Sequence, residues 1–387
     1  AGNPEWMTDA INLLPLIKTK AKSRLLWEYE IAQSYYDPNS KGTALLDDFE
    51  SSKRELQFPT SLTSWFKASP PSNRADQGNI YDENLNYKHQ GEFIWHSNLN
   101  EQFSRIFGST SSSRTNHREQ ELLKFIFRPN DNLRGNSWGG VMRALSSGLR
   151  NQSRKRILEV VVRGREGNLN FDFGKISEDI SISGFEPNQE LDAEVQPGEV
   201  VNKNDFGLDG LADGDGEVAQ KWECKPQCSL VPVSESDQDP ARDDWKQPEE
   251  GETDPTYKVN GTEGNNNGTR NHLFDTEDLN RNNSLDTSNQ YARYSVDLNG
   301  ECDKNSYCEE MENGWRKYQI PLYEEEEYEL VSSQVTNIRE ILSNVSMSRV
   351  WVNNLPFGVS QTELLIARIS LIGSSWEESD RNRNWES

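Results

Sequence analysis

The densest set of oxygen ligands in the chain is Asp278-Leu279-Asn280-Arg281-Asn282-Asn283-Ser284-Leu285-Asp286-Thr287-Ser288-Asn289. Side-chain oxygens of Asp278, Asn280, Asn282, Asp286 and Asn289 fall at positions 1, 3, 5, 9 and 12, with the Ser284 carbonyl available at 7. That is the spacing of an EF-hand loop for calcium, a hard cation that takes about six to eight oxygens. Another loop puts Asp205, Asp209 and Asp213 at positions 1, 5 and 9, with Gly210 at the tight turn, Asp215 or Glu217 behind, and Gly207 leaving position 3 empty. The chemistry expected of both loops is structural calcium binding. Asn289 in place of the usual bidentate Glu, and Asn at other ligand positions, predict weak affinity, on the order of 10⁻⁴–10⁻³ M.

The remaining constellations point away from catalysis. Gly135-Asn136-Ser137-Trp138-Gly139 fits the Gly-x-Ser-x-Gly pattern but lacks the strand before it and the helix after it that would expose a nucleophile, so a turn is expected. His89, His96, His117 and His272 show no metal spacing, and His89 and His96 lie in polar sequence that predicts solvated loops. The adjacent acids Asp47/Asp48 and Asp243/Asp244 would point to opposite faces of a strand, which two glycosidase carboxyls cannot do. No enzyme is expected. Cysteine occurs as two tight pairs, Cys224 with Cys228 and Cys302 with Cys308, without the Cys-x-x-Cys spacing or paired His of a zinc site. Two disulfides, local or crossed, would imply an oxidising compartment such as the periplasm or cell surface.

Charge narrows the partners. A net charge of -23 over 387 residues argues against nucleic acid, whose binding needs clustered Lys and Arg to displace counterions. No run of eighteen apolar residues would make a transmembrane helix, a criterion that does not address barrel strands. The opening Ala1-Gly2-Asn3-Pro4 has neither an initiating Met nor the regions of a signal peptide, and the chain is read as an internal fragment.

Elements that could position the loops are mostly strands. Alternation of large and polar residues marks Trp27, Tyr29 and Ile31, an apolar run follows at 44–50, and Phe125 and Phe127 alternate within 123–128. Leu158, Val160 and Val162, a Gly-rich turn at 163–167, then Leu169, Phe171 and Phe173 predict a hairpin whose Asn168, Asn170 and Asp172 face water. Further strands are expected at Ala292–Leu298, 316–322, 349–352 and 363–372, the last presenting Leu365, Ala367, Ile369 and Leu371 on one face; Ile338, Ile341, Leu342 and Val345 predict a short helix. Trp315 and Trp351 are expected inside the sandwich, and Glu324–Glu327 in a solvated loop or edge. Residues 186–260 carry 20 acidic against 6 basic residues and read as a long insertion, either disordered or held by ions and disulfides. The expected class is all-β: a jelly-roll-like β-sandwich with a lead-in at 1–40, halves at 41–185 and 288–377, an acidic insertion at 186–287 and a polar tail at 378–387.

The strand order, with Asp47-Asp48-Phe49-Glu50 early, Trp315 before Ile320-Pro321-Leu322, and Ile366-x-x-Ile369-x-Leu371 at the close, resembles galactose-binding-like carbohydrate modules, and carbohydrate binding is the alternative function. A closer resemblance is to the SprA/Sov-type translocon and gliding proteins. Its collinear motifs are Ile17–Ser23 leading to Leu46–Glu50, Trp65-Phe66-Lys67-Ala68-Ser69-Pro70, Ser137-Trp138-Gly139-Gly140-Val141-Met142-Arg143, Leu158–Val162, Phe173-Gly174-Lys175-Ile176-Ser177-Glu178-Asp179, Gly207–Leu211 and Thr276-Glu277-Asp278-Leu279-Asn280-Arg281-Asn282. The cysteines and acidic insertion depart from the usual pattern. The resemblance implies a cap or loop segment of the giant outer-membrane β-barrel of type IX secretion, located at the bacterial outer membrane or cell surface. Its implied partners are other segments of that barrel, a partner barrel, a plug protein and secreted cargo.

Overall fold

Among the described residues fifteen strands outnumber the helices, and central strands of both large sheets bury both faces. The computed structural model describes residues 53–71, 87–109, 115, 117–130, 137–182, 186–193, 207–209, 220–224, 228–232, 239, 242–247, 255–265, 275–302, 307–331 and 335–374. The expected strands at 27–31 and 44–50 lie outside them. The strands are β1 (Lys53–Gln57), β2 (Phe66–Lys67), β3 (Glu92–Gln102), β4 (Glu119–Arg128), β5 (Trp138–Ala144), β6 (Lys155–Arg163), β7 (Asn168–Lys175), β8 (Gln220–Cys224), β9 (Cys228–Pro232), β10 (Gln290–Asp297), β11 (Cys308–Glu310), β12 (Arg316–Pro321), β13 (Tyr328–Val331), β14 (Met347–Asn353) and β15 (Thr362–Ser374). One sheet runs β11-β12-β6-β15-β4-β3, with β1 also on β15; the other runs β13-β10-β7-β14-β5-β2; β8 and β9 form a separate ladder. All the pairings are antiparallel, and the two large sheets make the all-β sandwich expected.

Three expectations are corrected here. First, β6 and β7 are not a hairpin, because they belong to different sheets. The turn between them crosses from one layer to the other. Gly164, at φ 150°, lies so close to Leu364 that a Cβ there would clash, and Gly167, at φ 88°, supplies the left-handed backbone. Second, Asn170 and Asp172 are buried, not solvated. Third, β15 does not alternate evenly. A bulge between Ile366 and Arg368 shifts the phase, so Leu364, Ile366, Ile369 and Leu371 face the inner core while Leu365 and Ala367 face outward.

The inner core joins Phe125, Phe127, Val160 and Ile369 of one sheet to Val141, Phe171, Phe173 and Val350 of the other. The expected helix forms as α2 (Ile338–Ser343), burying Ile338, Ile341 and Leu342, with the Asn337 side chain capping Arg339 N–H. The outer faces are covered too. On the first sheet Trp315, Leu122, Val161 and Ala367 pack beneath Ile106 of α1 (Phe103–Phe107), and Val259 covers Ile94 and Ile126. On the second, Leu208, Ile176 and Ile180 cover Trp138, Met142 and Trp351. Trp315 and Trp351 are therefore buried, but in the outer layers.

Asp172 organises that second outer face. Its carboxylate accepts Arg349 Nε at 2.9 Å and Nη2 at 2.6 Å, Trp351 Nε1 at 3.1 Å and Arg293 Nε at 3.0 Å. Arg349 Nη1 donates to the Ser69 and Pro70 carbonyls, and Arg293 Nη2 to the Pro71 carbonyl. The chain after β2 is thus tied to the sheet. Asp172 and Arg349 have no exposed side-chain surface, so removing the carboxylate strands two guanidinium groups. Asp172→Ala should lower stability by about 3–5 kcal/mol, read as a shift in the urea midpoint at unchanged slope.

Candidate metal centre

The acidic insertion leaves the sandwich after β7 and returns before β10, and its two ends are clasped by a pair of buried glutamates. Glu178, on the outgoing chain, donates its backbone N–H to the Asp286 carbonyl at 2.8 Å. Its carboxylate accepts Asn280 N–H at 3.1 Å and Asn280 Nδ2 at 3.1 Å through Oε1, and Asp286 N–H at 3.2 Å through Oε2. Glu277, on the returning chain, reaches the other way: Oε1 accepts Ile180 N–H at 2.8 Å and Oε2 accepts Asp192 N–H at 3.1 Å, while its own N–H donates to the Asp192 carbonyl at 3.0 Å. Each glutamate occupies the place a strand neighbour would take, satisfying backbone donors in a segment with no ladder of its own.

The 278–289 loop folds locally through its first acid. Asp278 Oδ1 accepts Asn282 N–H at 2.9 Å and Oδ2 accepts Asn283 N–H at 2.6 Å, an Asx-type closure. Arg281 and Asn283 take left-handed backbone, φ 58° and 63°. Asp286 Oδ2 then collects Asn280 Nδ2 at 2.7 Å and Asn282 Nδ2 at 3.2 Å. So three of the predicted ligands, Asn280, Asn282 and Asp286, converge, with Asp278 closing the turn beside them. Ser284 is exposed, and Asn289 turns away to cap Ser177 N–H at 3.0 Å. In the other loop Asp209 lies in the turn 207–209, while Asp205, Asp213, Asp215 and Glu217 lie outside the described residues. Among the described residues no three Asp, Glu, His or Cys side chains are arranged to hold a metal.

Sequence spacing missed Glu178, which no loop-internal count can reach; the only signal was an acid pair, Glu178-Asp179, shortly after β7. Its electrostatics are those of an anion short of countercharge. Burial pushes Glu178 up to about 7 against the pull of Asp286 and Asn280 N–H, and the charges of Asp286 and Asp278 push the same way as burial. Burial likewise pushes Glu277 up to about 8, with Asp192 and Asp179 adding to it. Lys67 Nζ donates to the Ser181 carbonyl at 2.7 Å, and burial pulls it down to about 8 despite the charges of Asp243 and Glu277. Meanwhile Asn280 Oδ1 is buried with no hydrogen-bond partner among the described residues. Turning that amide over would aim its oxygen at Glu178 and Asp286, an orientation stable only with a cation between them.

Other sequence candidates resolve into structure. Ser137 is buried, its hydroxyl donating to the His89 carbonyl at 2.9 Å and accepting Asn130 N–H at 2.9 Å. His89 and His96 are buried, correcting their reading as solvated loop residues: His96 lies within β3, and His89 in the turn that Ser137 holds. Cys302 and Cys308 form a local disulfide with Cα atoms 5.2 Å apart, and the backbones of Cys224 and Cys228 pair across β8 and β9.

Glu277→Ala would leave two N–H donors unpaired, each costing about 1–3 kcal/mol, and local opening should follow. Tryptic cleavage after the exposed Arg281 should accelerate at least about tenfold, whereas Glu277→Gln, which keeps an acceptor for Ile180, should fall between the variant and the native chain. No family model and no curated protein matches this chain.

Proposed function

We propose that the chain is a non-catalytic cap or loop segment of an SprA/Sov-type outer-membrane translocon of type IX secretion, its jelly-roll-like sandwich ordered at the neck of the insertion by calcium. The observation that carries this reading is where the collinear motifs fall. Trp65–Pro70 spans β2 and the segment tied to Arg349, Ser137–Arg143 runs from the residue before β5 through most of that strand, and Leu158–Val162 lies in β6. Phe173–Asp179 and Thr276–Asn282 are the two sides of the neck, joined through Glu178 and Glu277. These motifs, from Trp65 to Asn282, fall in segments that pack or bond to one another, which is in keeping with the resemblance; Ile17–Ser23 and Leu46–Glu50 lie outside the described residues. The Cys302–Cys308 disulfide supports an oxidising compartment, in keeping with the outer membrane or cell surface.

The carbohydrate-binding alternative draws less support. Trp65, Trp95, Trp138, Trp315 and Trp351 are all buried and give no stacking face to a glycan.

The secretion reading is tested by recovering the full-length protein from its native envelope with an epitope inserted at the exposed Leu149 turn. Membrane-bound protein co-purifying with smaller barrel partners is expected; a soluble, unassociated protein would overturn it. Calcium is tested on the purified chain. Binding to the folded form raises apparent stability by mass action, so calcium at about 1–10 mM should raise Tm and slow cleavage after Arg281. Asp278→Ala combined with Asp286→Ala should remove the response, and equal cleavage in calcium and chelator would eliminate the ion from the account.

A further inference from the structure

Several arginines along the sheets lie against acids: Arg128, Arg163, Arg165 and Arg368 each face a glutamate at 3.1 to 3.4 Å. Arg156, at the start of β6, and Arg339, in the first turn of α2, do not. Among the described residues neither guanidinium has a carboxylate or a hydrogen-bond acceptor. Both side chains are exposed, and both guanidinium groups lie over the ring of Tyr323, 5.0 Å and 5.4 Å from its centroid.

The three residues stand on fixed backbone. Tyr323 Oη donates to the Ser153 carbonyl at 2.6 Å, and Leu322 N–H donates to the Arg156 carbonyl at 2.8 Å. Gln152 N–H donates to the Leu342 carbonyl at 2.7 Å, which ties the chain leading into β6 to α2. Burial pushes the Tyr323 hydroxyl above the usual tyrosine value, and the charges that act on it, Arg156 and Arg339, pull it down. Of the acids next to this trio in the chain, Glu324 accepts the Tyr307 hydroxyl at 2.5 Å and Glu340 is exposed. The wider setting is basic as well: residues 132–158 hold six Lys and Arg and no Asp or Glu, in a chain with 64 acidic and 41 basic residues. Two like charges converging on one ring repel each other, and an anion between them removes that repulsion.

We propose that Arg156 and Arg339, converging on Tyr323, bind the phosphate group of a phosphate monoester. Two guanidinium forks match the two charges and the terminal oxygens of a monoester dianion, each through paired N–H donors. A phosphodiester, with one charge, leaves one fork unanswered. Because both side chains are exposed, the ester needs no cavity to reach them. This assignment is independent of the secretion reading and of the calcium loop.

The probes are methyl phosphate and dimethyl phosphate, against sodium chloride at matched ionic strength, read by calorimetry and thermal melting on the intact chain in calcium-free buffer. Methyl phosphate should bind saturably and raise Tm by mass action, and dimethyl phosphate should bind at least about tenfold more weakly. A phosphate monoester takes its second charge as pH rises through about 6, so the affinity for methyl phosphate should climb between pH ~5 and ~7, while both arginines stay charged throughout. Arg156→Gln and Arg339→Gln should each weaken binding at least about tenfold. Arg105→Gln, which removes an exposed arginine on α1, should change it less than about twofold. Phosphatidylcholine vesicles with and without about 20% phosphatidic acid separate two sources of the phosphate. Retention on the acidic vesicles alone, lost in Arg156→Gln, assigns the group to a lipid headgroup, and methyl phosphate binding without retention assigns it to a soluble ester. A native chain that responds to methyl phosphate no more than to chloride, equal affinity for the diester, or an Arg105→Gln chain weakened as much as Arg156→Gln would each overturn the proposal.

Discussion

A single buried carboxylate holds the second sheet to its covering layer. Asp172 sits in the middle of β7, where the period-two pattern places it on the face opposite the core, and it receives four hydrogen bonds from three side chains. Two arginines in one buried patch would repel each other and carry a large desolvation penalty; one shared anion removes both problems and lets the guanidinium groups extend outward to the carbonyls of residues 69–71. The planar fork of arginine suits this double duty, since one edge can grip the acid while the other reaches backbone oxygen. Trp351 and Tyr291 stack against the same cations, with Arg293 4.8 Å from the Trp351 ring and Arg349 4.9 Å from the Tyr291 ring.

Described parts of the acidic insertion are anchored in the covering layer. Its apolar residues are few, but they are placed where the sheets need them. Leu208 joins the cluster of Trp138 and Trp351, and Val259 joins Ile94 and Ile126. Lys258 gathers Asp239 and Asp244 beneath the ring of Tyr257, whose hydroxyl donates to Asp239 at 2.7 Å. Order here comes from a handful of anchors, and the glutamate clasp at the neck fixes where the path begins and ends.

How much of this was legible follows from which signals are local. Inner-facing alternation in β7, β10, β12 and β14 marks those strands because apolar side chains two apart are read directly from the chain. The same reasoning misassigned Asn170 and Asp172 to water, since a buried ion network and an exposed polar face have identical sequence patterns. A Gly-rich turn between two strands looks the same whether it returns to its own sheet or crosses to the facing one, which is why the β6–β7 hairpin was expected. The bulge in β15 was hidden because Leu364 to Leu371 is apolar on both faces. At the 278–289 loop, spacing found Asn280, Asn282 and Asp286, but not Glu178, whose approach depends on pairing between segments about a hundred positions apart.

Asn260 makes a further use of the insertion. Its side-chain amide accepts Trp95 N–H at 3.0 Å and donates to the Trp95 carbonyl at 2.7 Å, the two bonds a neighbouring strand would have made. β3 is the outermost strand of its sheet and eleven residues long, the kind of rim that templates cross-chain association. A primary amide ends the ladder there because, unlike a peptide, it offers no next residue to continue the pattern. At Trp95 the margin of the sheet is thereby closed by one side chain of the acidic insertion.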